Sequence, residues 1–596
     1  MKIKNILILA ILAGSLCACA DLIDPSVQNT QTEEQMFKDP ASAQGVLGYG
    51  YGNLPFETKS TTDIATDDAV TNDLTNSYRR MSQGTWTANN DPMSQWQSRR
   101  ITIQYMNLFL KYVESVQWSK EPARQAMFVD KLRGEALALR ALNMYYLLRN
   151  HGGWTADGQL MGVPILLEPE NLASDFDQPR ATFQKCVEQI YDDLDTAMEL
   201  LPFDYVNIKT ASDSDVPKKY QDLGVTDIEE YGVVFGDSFN GRMSGRLAQA
   251  IKAMTALLAA SPAYADGTDV SYEDAANEAA KILDTINGVA GIDPTGYKWF
   301  MEKTTINNLG SGQCPPEILW RGTKNKGTED YAFGISQERD NYPPTLYGSG
   351  RINPTQNFVD AFPMANGYPI THPSSGYSAS DPYAGRDPRL AEYVIYNGAK
   401  YAGKDIITGT YSTDDNGLNK IAKSTRTGYY LRKLLRDDCN ANPSSTNAQY
   451  HYPVYIRYTE LFLAYAEAAN EAWGPTGSGT HGYSAYDVIK ALHDRAGVGN
   501  DYLDSVSGNK EQMRELIRNE RRIELSFENK RFWDMRRWKL DLTEPAMGMQ
   551  VNQEGGALTY TKFEVEPRTY KSHMYYGPIP ESEVLKWSNL DQNKGW

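Results

Sequence analysis

The chain has little cysteine, little histidine and no excess of positive charge. Its 596 residues hold five cysteines, of which Cys186, Cys314 and Cys439 lie beyond the N-terminus, far apart and odd in number. That excludes a disulfide framework and any recognised zinc spacing. The six histidines are equally scattered. Metal catalysis therefore finds no support in spacing, no EF-hand pattern marks a calcium loop, and no cofactor is expected. A formal net charge of −17 and a pI of about 5.0 exclude a phosphate-backbone partner, so no nucleic acid is expected. Long apolar runs are missing too, apart from residues 6–12, which are too few to span a bilayer.

That short run follows Lys2 and Lys4 and leads to Leu16-Cys17-Ala18-Cys19. This is the layout of a signal peptide, residues 1–18, with Cys19 as the lipidated first residue of a bacterial lipobox. Two acyl attachments at one cysteine give stable membrane anchoring.

Helical periodicity dominates the rest. Residues 101–116, 128–149, 183–201, 245–260, 272–286, 456–473 and 486–496 step apolar side chains by three and four. Small residues crowd several of these segments, as helix–turn–helix repeats need in order to stack closely. The expectation is a mostly α fold, a tetratricopeptide-like helical repeat scaffold with a loop-rich inserted subdomain containing short strands at 299–428. Residues 60–100 read as one long polar loop, and loops of that length are commonly functional.

The most charged helical stretch is EQMRELIRNERRIELSFENKRFWDMRRW, residues 511–538. Met513, Leu516, Ile517, Ile523 and Phe527 give it one packing face, and alternating Glu and Arg favour i,i+4 ion pairs. Its aromatic and guanidinium cluster reads as a structural anchor rather than a nucleic-acid surface.

The run RNERRIELSFENKRFWDMRRW resembles the C-terminal signature of the SusD/RagB family of surface nutrient-binding lipoproteins. Further blocks resemble the same family in order: the Cys19 lipobox, Arg133-Gly134-Glu135-Ala136-Leu137-Ala138-Leu139-Arg140, Pro354-Thr355-Gln356-Asn357-Phe358, Arg386-Asp387-Pro388-Arg389, Gly428-Tyr429-Tyr430-Leu431-Arg432-Lys433, Tyr465-Ala466-Glu467-Ala468-Ala469-Asn470-Glu471, and the tail from Gly577-Pro578-Ile579-Pro580 to Trp596. The resemblance implies an N-terminal helical-repeat region at 19–290 and a SusD/RagB region at 291–596. It implies a lipid-anchored, surface-exposed outer-membrane protein that binds a nutrient glycan without catalysis. Delivery is then to a partner SusC-like TonB-dependent transporter.

The resemblance names no ligand contacts, so candidates come from aromatic and polar residues of the two loop regions. In the first these are Asp73, Arg79, Trp86 and Trp96; in the insert, Trp299, Trp320, Tyr342 and Tyr347. Flat rings match the apolar faces of sugars, and carboxylates and amides match their hydroxyls. Trp86 and Trp96 read equally well as plugs holding the loop on the core, and Trp320 sits in an alternation typical of a buried strand. An oligopeptide-binding member of the family, a glycoside hydrolase with two facing carboxylates, and a scaffold for protein partners are the alternatives.

Overall fold

The computed structural model describes residues 32–327 and 335–596. Residues 1–31, and with them the expected signal peptide and the Cys19 lipidation site, lie outside the described residues. No described helix is long and apolar enough to cross a membrane.

The principal elements, in chain order, are α1 (Pro40–Gly52), β1 (Ala69–Thr71), α2 (Trp96–Tyr112), α3 (Pro122–His151), α4 (Phe183–Leu200), α5 (Gly245–Ala260) and α6 (Tyr272–Leu283). The insert contributes β2 (Ile318–Arg321), the short α7 (Ser336–Asn341) and β3 (Ile352–Pro354). Then come β4 (Val454–Arg457), α8 (Tyr458–Trp473), α9 (Ala485–Ala496), α10 (Lys510–Glu524), α11 (Arg531–Arg537), β5 (Ala546–Glu554) and β6 (Ala557–Glu566). The mostly α fold with small strand inserts is what the periodicity predicts.

Helix starts follow from their capping residues. Thr182 accepts the Lys185 amide ahead of α4, Asn509 the Gln512 amide ahead of α10, and Ser484 with Asp487 forms a capping box on α9. Neighbouring helices pack in sequence, α2 on α3, α3 on α4 and α5 on α6, and α6 then packs on α8. Small residues permit the close crossings: a Cβ on Gly134 of α3 would lie 2.7 Å from Leu201. The largest apolar core takes side chains from α1–α6 and from α8–α10 alike.

The long polar segment 60–100 is more ordered than expected. It contains β1, single helical turns and the start of α2. What holds it is the charged C-terminal stretch, and here the expected local ion pairs give way to long-range ones. α10 ends at Glu524, and Phe527 and Asn529 then take left-handed backbone conformations, both with φ of 58°. Asn529 uses that turn to accept the amides of Thr61 and Thr62 and to donate to the Lys59 carbonyl. Arg522 pairs with Asp67 and Asp68, and Arg531 grips Asp67 through two hydrogen bonds. Arg537 reaches Glu467 of α8. Within the stretch, short-range pairing is confined to Arg518–Glu515 and Arg537–Asp534. Its carboxylates and guanidiniums therefore clamp distant segments onto one helix.

With residues 60–68 fixed, β1 pairs antiparallel with β3, Ala69 opposite Pro354 and Thr71 opposite Ile352. The first loop is thereby joined to the insert. Residues 204–240, polar and acidic in sequence, carry a helix at Ile228–Phe235 and a small apolar core. The β5–β6 hairpin was not expected. Its turn is Gly555-Gly556, both with positive φ (56° and 88°), which suits a tight hairpin turn.

Candidate functional site

Most of the rings chosen as an exposed platform are structural. Trp86 is 3% exposed; its Nε1 donates to Asp91 at 2.9 Å, and its ring meets Trp596 and Tyr570 edge-on. Burial pushes the Asp91 carboxyl up to about 6. Trp299 packs against Phe300 and Tyr452, and Tyr342 against Tyr401 with its hydroxyl donating to the Arg436 carbonyl. Trp320 lies in β2 with Nε1 donating to the Gly241 carbonyl and its ring meeting the stacked Phe56 and Tyr455 rings edge-on. All are buried, so in this fold none opens a ring face to a ligand. The physical reason is shared: each large ring covers more apolar area inside than the polar loops around it can offer.

Arg79 is likewise an anchor. Its Nε donates to Glu566 at 3.1 Å, beside Arg426 at 2.8 Å and Arg568 at 2.7 Å on the same carboxylate. Against the opposing effect of burial, the Arg568 and Arg426 guanidiniums hold the Glu566 carboxyl below its ordinary value. The cluster fixes the end of β6 under the first loop.

Two candidates remain at the surface, and the fold brings them to one rim. Immediately after β1, Asn72 donates from Nδ2 to the Ser349 and Gly350 carbonyls at 2.8 and 2.9 Å. Asp73 then lies 4.0 Å from Arg351. Its carboxyl is held below the usual range by hydrogen bonds from Thr75, with help from Arg351. On the insert side, Tyr347 is 53% exposed with φ of 66°, a left-handed conformation costly for a bulky side chain. The turn is held by Asn416, which accepts the Thr345 amide and donates to the Thr345 hydroxyl, and by Lys404 donating to the Thr345 carbonyl. Leu74, 59% exposed, follows Asp73. The rim therefore presents an aromatic ring and an aliphatic side chain beside a carboxylate and a guanidinium, with the Asn72 amide tying the two segments together beneath them. Asn72 was missed by sequence reasoning; it follows the three-residue, fully buried β1, which carries no alternation that could have marked it.

Two concave regions flank the scaffold. Trp96, 3% exposed, sits beneath a cleft of about 490 Å³ lined by Gln97, Arg100, Gln104 and Tyr105. Tyr105 stacks on Tyr49 with ring centroids 4.0 Å apart. Trp320 lies beneath a groove of about 770 Å³ whose walls include Tyr205, Arg242, Arg246 and Tyr458. There Arg242 is spent on the buried Glu135 carboxylate, to which it donates through Nε and Nη2.

Comparison with known proteins accords with this architecture. The family model described as "SusD family" matches residues 316–596, and that described as "Starch-binding associating with outer membrane" matches residues 34–214. A curated relative, SusD-like protein P2 of Formosa agariphila, is 31% identical over 158 residues, which span 26% of this chain and 26% of the relative. Among solved structures, a SusD-like protein from Bacteroides fragilis superposes with a TM-score of 0.68 at 21% identity, covering 94% of this chain and 98% of the other. A SusD-like carbohydrate binding protein from the same organism gives 0.67 at 20% identity, covering 93% and 99%. Surface glycan-binding protein A from Bacteroides fluxus gives 0.59 at 17%, covering 94% and 100%. At these identities the structural likeness carries the fold.

Proposed function

The chain belongs to the SusD/RagB family, and from that premise we propose that it captures a nutrient glycan at the bacterial outer membrane without catalysis. Capture takes place at the rim where the first loop meets the insert. The lipid on Cys19 tethers the protein to the cell surface, and the glycan passes to a SusC-like TonB-dependent transporter. The Bacteroides fragilis neighbour described as a carbohydrate binding protein and the N-terminal family described as starch-binding support the ligand class.

The observation that carries the reading is Tyr347. A ring half out in water, in a backbone conformation that costs energy, is retained against both the hydrophobic effect and backbone preference. Stacking on the apolar face of a sugar accounts for it. Asp73 and Arg351 supply acceptors and donors for the hydroxyls around that face.

The test is calorimetric titration of the purified chain with plant, host and microbial oligosaccharides, with oligopeptides alongside and product analysis for turnover. Saturable heat with a glycan, weakened by Tyr347→Ala and by Asp73→Ala and without cleavage, is the expected result. Loss with Tyr105→Ala instead moves the site to the α2 cleft. Heat with peptides alone, or cleavage of the glycan, overturns the reading.

A further inference from the structure

We propose that the insert holds a divalent transition metal, zinc by the chemistry of its donors, between Glu338 of α7, Cys439 and His451. Spacing along the chain hides this cluster, because Cys439 and His451 are far apart and Glu338 comes from a separate helix. The fold buries all three and brings one ligand atom of each within 4.8 Å of the others. A tetrahedral ion with bonds of about 2.0–2.3 Å sets its donors roughly 3.5 Å apart, so shifts of about an ångström let the three side chains fill three of its four positions.

The surroundings are those of a metal site. His451 Nδ1 lies 3.0 Å from the Gln449 carbonyl, to which it donates. That contact fixes the tautomer and leaves Nε2 facing Glu338 Oε1 at 2.8 Å. A cation between those two atoms satisfies the contact, whether a proton on Nε2 or a metal ion in its place. The Arg436 guanidinium does not provide it: it is turned onto Asp438 and the Tyr450 carbonyl, and only the Arg436 backbone amide donates to Glu338 Oε1.

A second observation is independent of the donor geometry. Glu338 is fully buried, yet its Oε2 has no hydrogen-bond partner, and the neighbouring buried Tyr401 hydroxyl has none either. A carboxylate oxygen left bare in the interior is costly, and a bound cation satisfies it. Cys439 supplies the soft ligand that selects zinc over calcium or magnesium. Burial, with the Glu338 charge beside it, pushes the thiol's proton affinity up, so without a metal the sulfur stays protonated. Metal entry forms the metal–sulfur bond and releases that proton to solvent. The bound ion then joins α7 to the 439–451 segment, directly behind the chain that runs on through Tyr342 to Tyr347.

The purified full chain is assayed for metal by mass spectrometry, stripped with a strong chelator and reloaded with zinc or cobalt(II). One equivalent of zinc per chain is expected, with a thermal midpoint that falls on stripping and returns with zinc. Cobalt loading should give a near-ultraviolet thiolate-to-cobalt charge-transfer band, kept by Cys186→Ser and Cys314→Ser and lost in Cys439→Ser. Should Cys439→Ser fail to fold, the unmutated chain decides. No zinc, no cobalt band and a midpoint indifferent to chelator overturn the proposal, as does a band that survives Cys439→Ser.

Discussion

Replacing Arg389 by methionine tests whether the interior charge network is held by its balance. Arg389 is fully buried and bonds three carboxylates: Asp387 at 2.7 Å, Glu520, and Glu524 at 2.9 Å. Around it, Arg457, Arg495 and Lys433 face Glu317, Glu524 and Glu528. The connected group therefore sets four permanent cations, with His493 beside Glu520 a fifth when protonated, against five carboxylates. At an effective dielectric of about 20, unit charges 2.9 Å apart attract by about 6 kcal/mol. Relief of guanidinium desolvation and entry of water cancel part of that, leaving about 3–5 kcal/mol for breaking a buried pair by removing one partner. Arg389→Met leaves three cations for five carboxylates and belongs at the upper end. Glu524→Gln, although it alters a residue touching three guanidiniums, leaves four against four and should cost less. Urea unfolding followed by tryptophan fluorescence reads both: with a slope above about 3 kcal/mol/M for so long a chain, Arg389→Met should lower the midpoint by roughly 1 M at unchanged slope. Its deficit should shrink as pH falls, because protonation discharges the stranded carboxylates. A loss under about 1 kcal/mol, or Glu524→Gln costing more than Arg389→Met, refutes the balance argument.

Tyr347→Ala should weaken glycan binding about tenfold, or about 1.4 kcal/mol, while leaving the thermal midpoint unchanged; Tyr347→Gly should lose binding equally yet gain up to about 1 kcal/mol of stability by relieving the positive φ, and a loss of stability refutes the strain argument. Trp86→Ala should cost about 3–5 kcal/mol as a core cavity, measurable by denaturation, with affinity per folded molecule retained; selective loss of binding would return Trp86 to the site. Acid should destabilise the protein in two windows. His151 donates from Nδ1 to the Pro578 carbonyl and accepts the Gln95 amide at Nε2, so its neutral form fits and burial lowers its pKa from 6.5 to about 4. Its contribution, up to about 3 kcal/mol, is complete above pH 6.5 and lost as pH falls through 4. Glu528, drawn down to about 2 by Arg457 and Lys433 against its burial, contributes above pH 4.5 and is lost below that value. A thermal midpoint flat from pH 6.5 to 4, or its equal decline in His151→Asn, contradicts the first window.

The helices were legible because their signal is local. A three-to-four step of apolar residues and a capping Ser, Thr or Asn specify α4 and α5 wherever their partners lie. The β5–β6 hairpin was equally local, with Gly555-Gly556 between alternating residues, and a helix-centred reading passed over it. Apart from Trp320, whose alternating strand marked it as buried, the sequence could not disclose which rings are inside. Trp86 and Tyr347 sit in similar polar, glycine-bearing surroundings along the chain, yet one is 3% and the other 53% exposed. The difference arises from residues remote in sequence: Phe532, Tyr570 and Trp596 close over Trp86, whereas Asn416 and Lys404 hold the backbone beneath Tyr347 and leave its ring uncovered. The charged C-terminal stretch explains how such distant pairings become reproducible. A misplaced loop leaves Asp67 or Asp68 without Arg522 and Arg531, and an interior carboxylate without its cation costs several kcal/mol. Misregistered arrangements of residues 60–71 are excluded by that cost, so β1 meets β3 in one register and Asn72 and Asp73 arrive at the rim beside Arg351. The same segment that resists assignment as a binding surface is therefore what fixes the geometry of the one proposed here.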